Sequence, residues 1–251
     1  MIDTIKAATE RLLSAYPPGR MVPVPDDLPL TDEGEAYAIQ ARVAASLGTP
    51  CGWKLGGIVR GEAPRYSRLF SELCRPSPAC FSHDEFHRVY LEPELAVVLA
   101  EPIPARDAPY GLEEVAACIA SLHAAIELVD SRFDAWPVVP PLWQLADGLS
   151  HGAFVLGSGT SPNGLGRMRD AAYRLCLDDE EVLAGEGDHP GGDPAELLTS
   201  MINARIRASG EGFAAGEVFT TGTFAGVIPM LPGQRASLSF MGIGEVVLDL
   251  I

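Results

Sequence analysis

Apolar residues at the start of the chain recur at helical spacing. Ile5, Ala8, Leu12 and Leu13 predict a helix over residues 3–15, which Tyr16, Pro17, Pro18 and Gly19 stop. A Pro-rich connector leads to a second helix. Thr31 is its candidate cap, the apolar pattern opens at Ala36 to Gln40 and runs to Leu47, and Gly48 ends it. Residues 51–59 are too short and too rich in glycine for a helix and read as a strand with one charge, Lys54. Residues 88–99, rich in Val, Leu and Tyr, read as another strand. Leu112, Val115, Ile119 and Leu122 predict a helix over residues 111–125, with residues 126–130 extended after it. Beyond Gly152 come short strands over residues 153–156, 173–177 and 246–251. One more helix fits residues 194–209, with Asp193 as cap and Gly210 as stop. The acidic run Asp178, Asp179, Glu180 and Glu181 reads as a hairpin turn. The pattern predicts an α+β fold in a single domain over residues 1–251. Its N-terminal region, 1–75, is expected to be mainly helical, and 76–251 to be the strand-rich part.

Composition narrows the function. The chain has 251 residues, 47% of them hydrophobic, enough to bury a core. Its formal net charge of -16, with 18 scattered Lys and Arg, excludes a nucleic acid or an anionic membrane as partner. The five cysteines are odd in number and none has the two-residue spacing of zinc or redox motifs. The N-terminal stretch carries charges throughout, and no run of about 18 apolar residues occurs, so the protein is expected to be soluble and cytoplasmic. An acidic protein that handles an anion needs local compensation from a cation or a few placed basic residues, which makes any carboxylate cluster a candidate metal site.

Glu92, Pro93 and Glu94 lie within the strand expected at 88–99. Residues two apart on a strand share a face at a Cα separation of roughly 6.5–7 Å, so the two carboxylates converge or both stand on a solvated face. Pro93 points the other way, and its missing N–H requires an edge or an irregularity. Two buried like charges need a cation or a shared proton, and oxygen-only ligation suits Mg²⁺ or Mn²⁺. Glu127 is a carboxylate inside the apolar stretch of Ala124, Ala125, Ile126, Leu128 and Val129, where such a group is rarely buried unpaired. Asp130 and Arg132 follow and can pair with each other or orient a ligand. Lys54 can anchor a substrate carboxylate, transfer a proton or snorkel to the surface.

Five ordered segments carry a family resemblance: GWKLGG at 52–57, EPELAVVL at 92–99, AAIELVDSR at 124–132, the AD…S…FVLG pattern over 146–157, and AAGEVFTTGT at 214–223. Together they resemble the 2-keto-4-pentenoate hydratase and 4-oxalocrotonate decarboxylase family of the fumarylacetoacetate hydrolase-like superfamily. The resemblance implies N-terminal helices followed by a mixed, rolled β-structure. It implies a metal, Mg²⁺ or Mn²⁺, held by Glu92, Glu94 and Glu127, a catalytic Lys54, and a homo-oligomer acting on a small anionic 2-oxo acid. Two segments depart from the family. Pro64, Arg65, Tyr66 and Ser67 stand where a Pro-Asp-aromatic-Gly segment is expected, and Arg65 cannot replace the aspartate as a base. Asp147, Gly148, Leu149, Ser150 and His151 stand for Asp-Asn-Ala-Ser-Ser. Ser150 and His151 are therefore the further catalytic candidates, and Arg65, Arg132 and Asp147 the candidate substrate contacts. The expected activity is hydration of a 2-hydroxy-2,4-dienoate or 2-oxo-4-enoate. The alternatives are decarboxylation of a 2-oxo-3-enedioate, C–C hydrolysis of an acylpyruvate with His83 or His87 near the metal, and binding without turnover.

Overall fold

The structure, a computed structural model, describes residues 4–16, 20–57, 61–62 and 64–251. Helix α1 spans Thr4–Leu13 and α2 spans Glu33–Leu47. The cap of α2 is Asp32, which accepts from the Glu35 N–H at 2.9 Å, and not Thr31. Thr31 instead donates its own N–H and hydroxyl to the Glu35 carboxylate, so the two residues divide the capping between them. Strands β1 (Pro50–Gly56), β2 (Arg65–Phe70), β3 (Cys74–Pro76), β4 (Ala79–Phe81) and β5 (Tyr90–Leu99) follow. Then come α3 (Leu112–Ala117), β6 (Ile119–Val129), α4 (Pro141–Ala146), β7 (His151–Thr160), β8 (Ala172–Leu177) and β9 (Glu180–Glu186). The chain ends with α5 (Pro194–Ser209), β10 (Val218–Thr223), β11 (Ile228–Pro229), β12 (Arg235–Phe240) and β13 (Gly244–Leu250).

One sheet runs β2-β1-β10-β5-β6-β7-β3, with β11 added beside β5, and a second runs β4-β13-β12-β8-β9. Parallel pairs (β1 with β10, β3 with β7, β4 with β13) sit among antiparallel ones, so both sheets are mixed. Alternation along β5 and β6 decides what each face does. Leu91, Leu95, Val97, Leu122, Ile126 and Leu128 face the main core, shared with Leu175, Leu238, Val246 and Leu248 of the second sheet and with Met201 and Ile202 of α5. The intervening residues Glu92, Glu94, Ala96, Ala125 and Glu127 face the other way, into the curl of the first sheet, over a small cluster of Leu69, Ala96, Ala125 and Phe154. The N-terminal helices form a third apolar cluster in which Leu12, Ile39 and Val43 pack with Phe133, Trp143 and Leu145.

The α+β architecture is the one expected from the pattern, but two local readings change. The helix expected over 111–125 ends at Ala117, and residues from Ile119 onward form the long strand β6. Leu122, Ala124, Ile126 and Leu128 form a period-two stripe, and ladders to β5 and β7 on both sides select it over the local helical spacing. Within 1–75, β1 and β2 join the same sheet as β5, so residue 75 is not an architectural boundary. Pro93 lies on a central strand, at the irregularity its missing N–H requires. The β10 register jumps between Thr220 and Thr223, and the Pro93 carbonyl accepts from the Phe224 N–H on that side. Helix α5 begins at the Asp193 cap and ends at Gly210, whose φ of 68° is the left-handed stop. Asp178 and Asp179, both at positive φ, turn β8 into β9. Among the described residues no helix is long and apolar enough to cross a membrane.

Candidate metal centre and active site

The β5–β6 register sets Glu92 directly opposite Glu127, with Glu94 one pleat further on the same face. One oxygen from each of the three lies within 4.8 Å of the others. Glu94 and Glu127 are fully buried, and Glu92 is half-buried at the edge of a cavity. Both carboxylate oxygens of Glu94 and Oε2 of Glu127 are buried without a hydrogen-bond partner. Buried acceptors left bare in this way, three acids deep and all-oxygen in donor type, fit a hard divalent cation such as Mg²⁺ or Mn²⁺.

Without a cation the acids interact strongly. Burial pushes the Glu92 carboxyl up to about 7, even with Lys54 opposing. Burial, then the charges of Glu127 and Glu92, drive Glu94 well above the carboxylate range. Glu127 goes the other way: burial would raise it, but Lys54 and His151 together hold it below its usual value. Lys54 lies on β1, two strands from β5, and reaches Glu127 because the sheet curls. Its ammonium donates to Glu127 Oε1 and to the Leu149 carbonyl at 3.1 Å. Burial works to discharge it, but Glu127, Glu92 and Glu94 outweigh that effect and raise its pKa.

The turn from α4 into β7 completes the wall. Gly148, Leu149 and Ser150 all have positive φ (63°, 57° and 59°), which for Leu149 and Ser150 costs roughly 1–2 kcal/mol each. A buried ion pair holds this shape. Arg132 Nε bonds Asp147 Oδ1, its other nitrogens reach the carbonyls of His151 and Asp147 at 2.6 Å each, and Ser131 Oγ donates to Asp147 Oδ2 at 2.9 Å. Both ends of the turn are thereby tied, the Leu149 carbonyl meets Lys54, and Ser150 lines the cavity.

The cavity, about 280 Å³, is lined by Lys54, Glu92 and Ser150 with Leu55, Val129, Trp136, Gln144, Leu149, Pro190, Thr223 and Val227 among others. Arg132 and Asp147 are not on its wall; each is consumed by the other behind it, as the pairing of such close charges in a buried site requires. Arg65 also lies off the wall. It pairs with Glu33 of α2 at 2.8 Å and runs beside Gly57 at the lip. His151 stands behind Glu127, its Nδ1 3.2 Å from Oε1, and burial pushes its pKa below the usual histidine range, so a neutral ring steadies that carboxylate. His87 pairs with Asp130 at 3.1 Å, and neither His87 nor His83 lines the cavity. Nothing in the sequence marks Trp136, Gln144, Pro190 and Val227 as wall residues. They come from loops and a short helix whose spacing carries no signal.

Comparison with known proteins identifies the family and the fold. The fumarylacetoacetate (FAA) hydrolase C-terminal family matches residues 67–250. The chain is 25% identical to 2-keto-4-pentenoate hydratase 2 of Dechloromonas aromatica (strain RCB), over 96% of this chain and 95% of that one. Its fold is similar to that of 4-oxalocrotonate decarboxylase from Pseudomonas putida G7, complexed with magnesium and adipate, at a TM-score of 0.85 and 22% identity, covering 99% and 98% of the two chains. Fumarylpyruvate hydrolase from Pseudomonas aeruginosa, in complex with Mn²⁺ and pyruvate, is similar at a TM-score of 0.60 and 15% identity over 81% and 90% of the chains. With the family match spanning most of its length, the chain belongs to the fumarylacetoacetate hydrolase family.

Proposed function

We propose that the 251 residues act as one catalytic domain, a divalent-metal-dependent hydro-lyase that adds water to a small 2-hydroxy-2,4-dienoate or 2-oxo-4-enoate. The observation that carries this reading is the trio of converging carboxylates, with both oxygens of Glu94 and one of Glu127 buried without a partner, beside a cavity with one cation, Lys54, on its described wall. Relatives whose structures hold magnesium or manganese support the choice of metal. Bound by Glu92, Glu94 and Glu127, the ion supplies a positive anchor and Lewis acidity for the oxygens of a 2-oxo acid. Lys54, kept as an ammonium by the surrounding acids, holds negative charge that builds on the substrate. Ser150 and Gln144 offer hydroxyl and amide groups to orient the incoming water, and the Arg132–Asp147 pair keeps Ser150 in place. His151 fixes the Glu127 carboxylate from behind. The protein is read as a soluble, cytoplasmic homo-oligomer of aromatic-compound catabolism, with no nucleic acid or membrane as partner.

Decarboxylation is the second reading, because the decarboxylase fold match covers nearly the whole chain. The cavity wall favours hydration. A 2-oxo-3-enedioate carries a second carboxylate that a second cation would meet best, and Lys54 is the one Lys or Arg on the described wall, which otherwise mixes Ser150, Gln144 and Thr223 with Val129, Trp136, Pro190 and Val227. The test is turnover of 2-hydroxypenta-2,4-dienoate and of 2-oxohex-3-enedioate by chelator-stripped protein, with and without Mg²⁺, following ultraviolet absorbance and CO₂ release together. Magnesium-dependent loss of the dienoate without CO₂ from the diacid is the expected result. CO₂ release from the diacid as the faster reaction would replace hydration with decarboxylation.

A further inference from the structure

The first sheet curls until its two ends meet. Near one end of its order lies β1 and at the other end β3, and among the side chains that meet across the gap are Cys51 and Cys74, with Sγ atoms 3.2 Å apart. Cys51 occupies an irregular position. The β1–β2 register passes from Pro50 opposite Phe70 to Gly52 opposite Leu69, which leaves Cys51 as the extra residue of a bulge. A bulge re-aims the side chain it carries. The next residue cannot yield, because a Cβ on Gly52 would sit 2.1 Å from the Val218 carbonyl oxygen, so the backbone is pinned against β10 with Cys51 turned to the seam. Cys74 is held from its own side by the parallel ladder to Phe154 of β7. Both thiols are half-buried and rest against the Leu69, Ala96, Ala125 and Phe154 cluster below the carboxylates.

We propose that Cys51 and Cys74 are a reversible disulfide clasp that closes the seam of the curled sheet. The bonded distance of about 2.05 Å requires the sulfurs to approach by roughly 1.2 Å, a shift within reach of side-chain rotation. The oxidant is a small disulfide, RSSR. The Cys51 thiolate attacks one of its sulfurs and expels RS⁻, giving a mixed disulfide. The Cys74 sulfur then attacks Cys51 and expels the second RS⁻, and the two thiol protons leave on the two RSH released. The order follows from the surroundings: the contact with Cys74 holds the Cys51 thiol below its usual pKa, while Cys74 is raised by the same contact and by burial. Glu72 and Glu217 stand near Cys51, so an uncharged disulfide reacts faster than an anionic one. The other three cysteines, Cys80, Cys118 and Cys176, make no thiol–thiol contact among the described residues.

The experiment treats reduced full-length protein with bis(2-hydroxyethyl) disulfide, alkylates the remaining thiols and maps the peptides by mass spectrometry, with thermal melting in parallel. The clasp predicts one linked peptide pair joining Cys51 to Cys74 and a rise in Tm of about 5 °C or more, both reversed by dithiothreitol. In Cys74→Ser the reaction stops at a mixed disulfide on Cys51. Recovery of Cys74 alkylated after oxidation of the wild type, or a linked protein that melts no higher than the reduced one, overturns the proposal.

Discussion

At the scale of single residues the centre is governed by charge. Three acids and one lysine share a buried space, so in the metal-free protein one carboxylate, Glu127, is matched by the Lys54 ammonium and the other two are not. Replacing Lys54 by Met keeps the volume but strands Glu127, and breaking a buried pair in this way costs about 3–5 kcal/mol. Urea unfolding of metal-free Lys54→Met is expected to show that loss, with added Mg²⁺ restoring most of it, while turnover falls by about 100-fold or more even when the metal is saturating. Titration gives a second expectation. Glu92, at about 7 in the folded protein against 4.5 ordinarily, stabilises the fold while protonated; that contribution is complete below about 4.5 and is lost as pH rises through about 7. Glu94 acts in the same direction over a higher range, whereas Glu127, held below its usual value, is already ionised above pH 5 and adds no slope there. His151 and His189, whose pKa values burial lowers, give the opposite slope below about pH 6.5, so the Tm of metal-free protein should fall between pH 7 and pH 8, and Mg²⁺ should raise it more at pH 8 than at pH 5. A Tm that climbs over this interval would show that the acids are not buried together.

At the scale of elements, the strained turn between α4 and β7 is held by one ion pair. Arg132→Ala leaves Asp147 buried and unpaired and releases the Leu149 and Ser150 backbone, at a cost of about 3–5 kcal/mol. Its signature beyond stability is a drop in turnover with Mg²⁺ affinity retained, because none of the three converging carboxylates touches Arg132. The same elements show what could be read in the sequence. Glu92 and Glu94 were legible because strand periodicity is two, and Glu127 because a carboxylate in an apolar run needs a reason. The Asp193 cap and the Gly210 stop of α5 were legible because capping is local. Residues 119–125 were not: their apolar positions satisfy both a helical and a strand spacing, and the ladders that choose between them come from β5 and β7 elsewhere in the chain. Nor could Arg132 be assigned to Asp147, since pairing across fifteen residues depends on where α4 returns the chain. The apparent substrate contacts in the sequence, Arg65, Arg132 and Asp147, thus lie beside or behind the wall, and the wall itself is made by loops.

At the scale of the molecule, the fold divides its labour by face. One side of the curled sheet joins the second sheet and α5 in the main core, and the other side encloses the acids, so the same two strands carry core residues and the converging carboxylates on alternate positions. A chain with a net charge of -16 repels an anionic substrate, and the centre offers one resident cation on the described wall to offset that. Adding a second cation should change selectivity. Val227 lines the cavity and is partly exposed, so Val227→Arg is expected to favour the diacid over the monoacid by about tenfold in kcat/KM, read from competition between the two substrates.

The most direct test of the three-carboxylate centre is a magnesium titration of chelator-stripped wild type and Glu127→Gln, followed by calorimetry and by turnover of 2-hydroxypenta-2,4-dienoate in the same samples. Binding and activity that rise together in the wild type, with affinity weakened roughly 100-fold and activity absent in the variant, is the predicted result. Full activity in metal-stripped Glu127→Gln would contradict it.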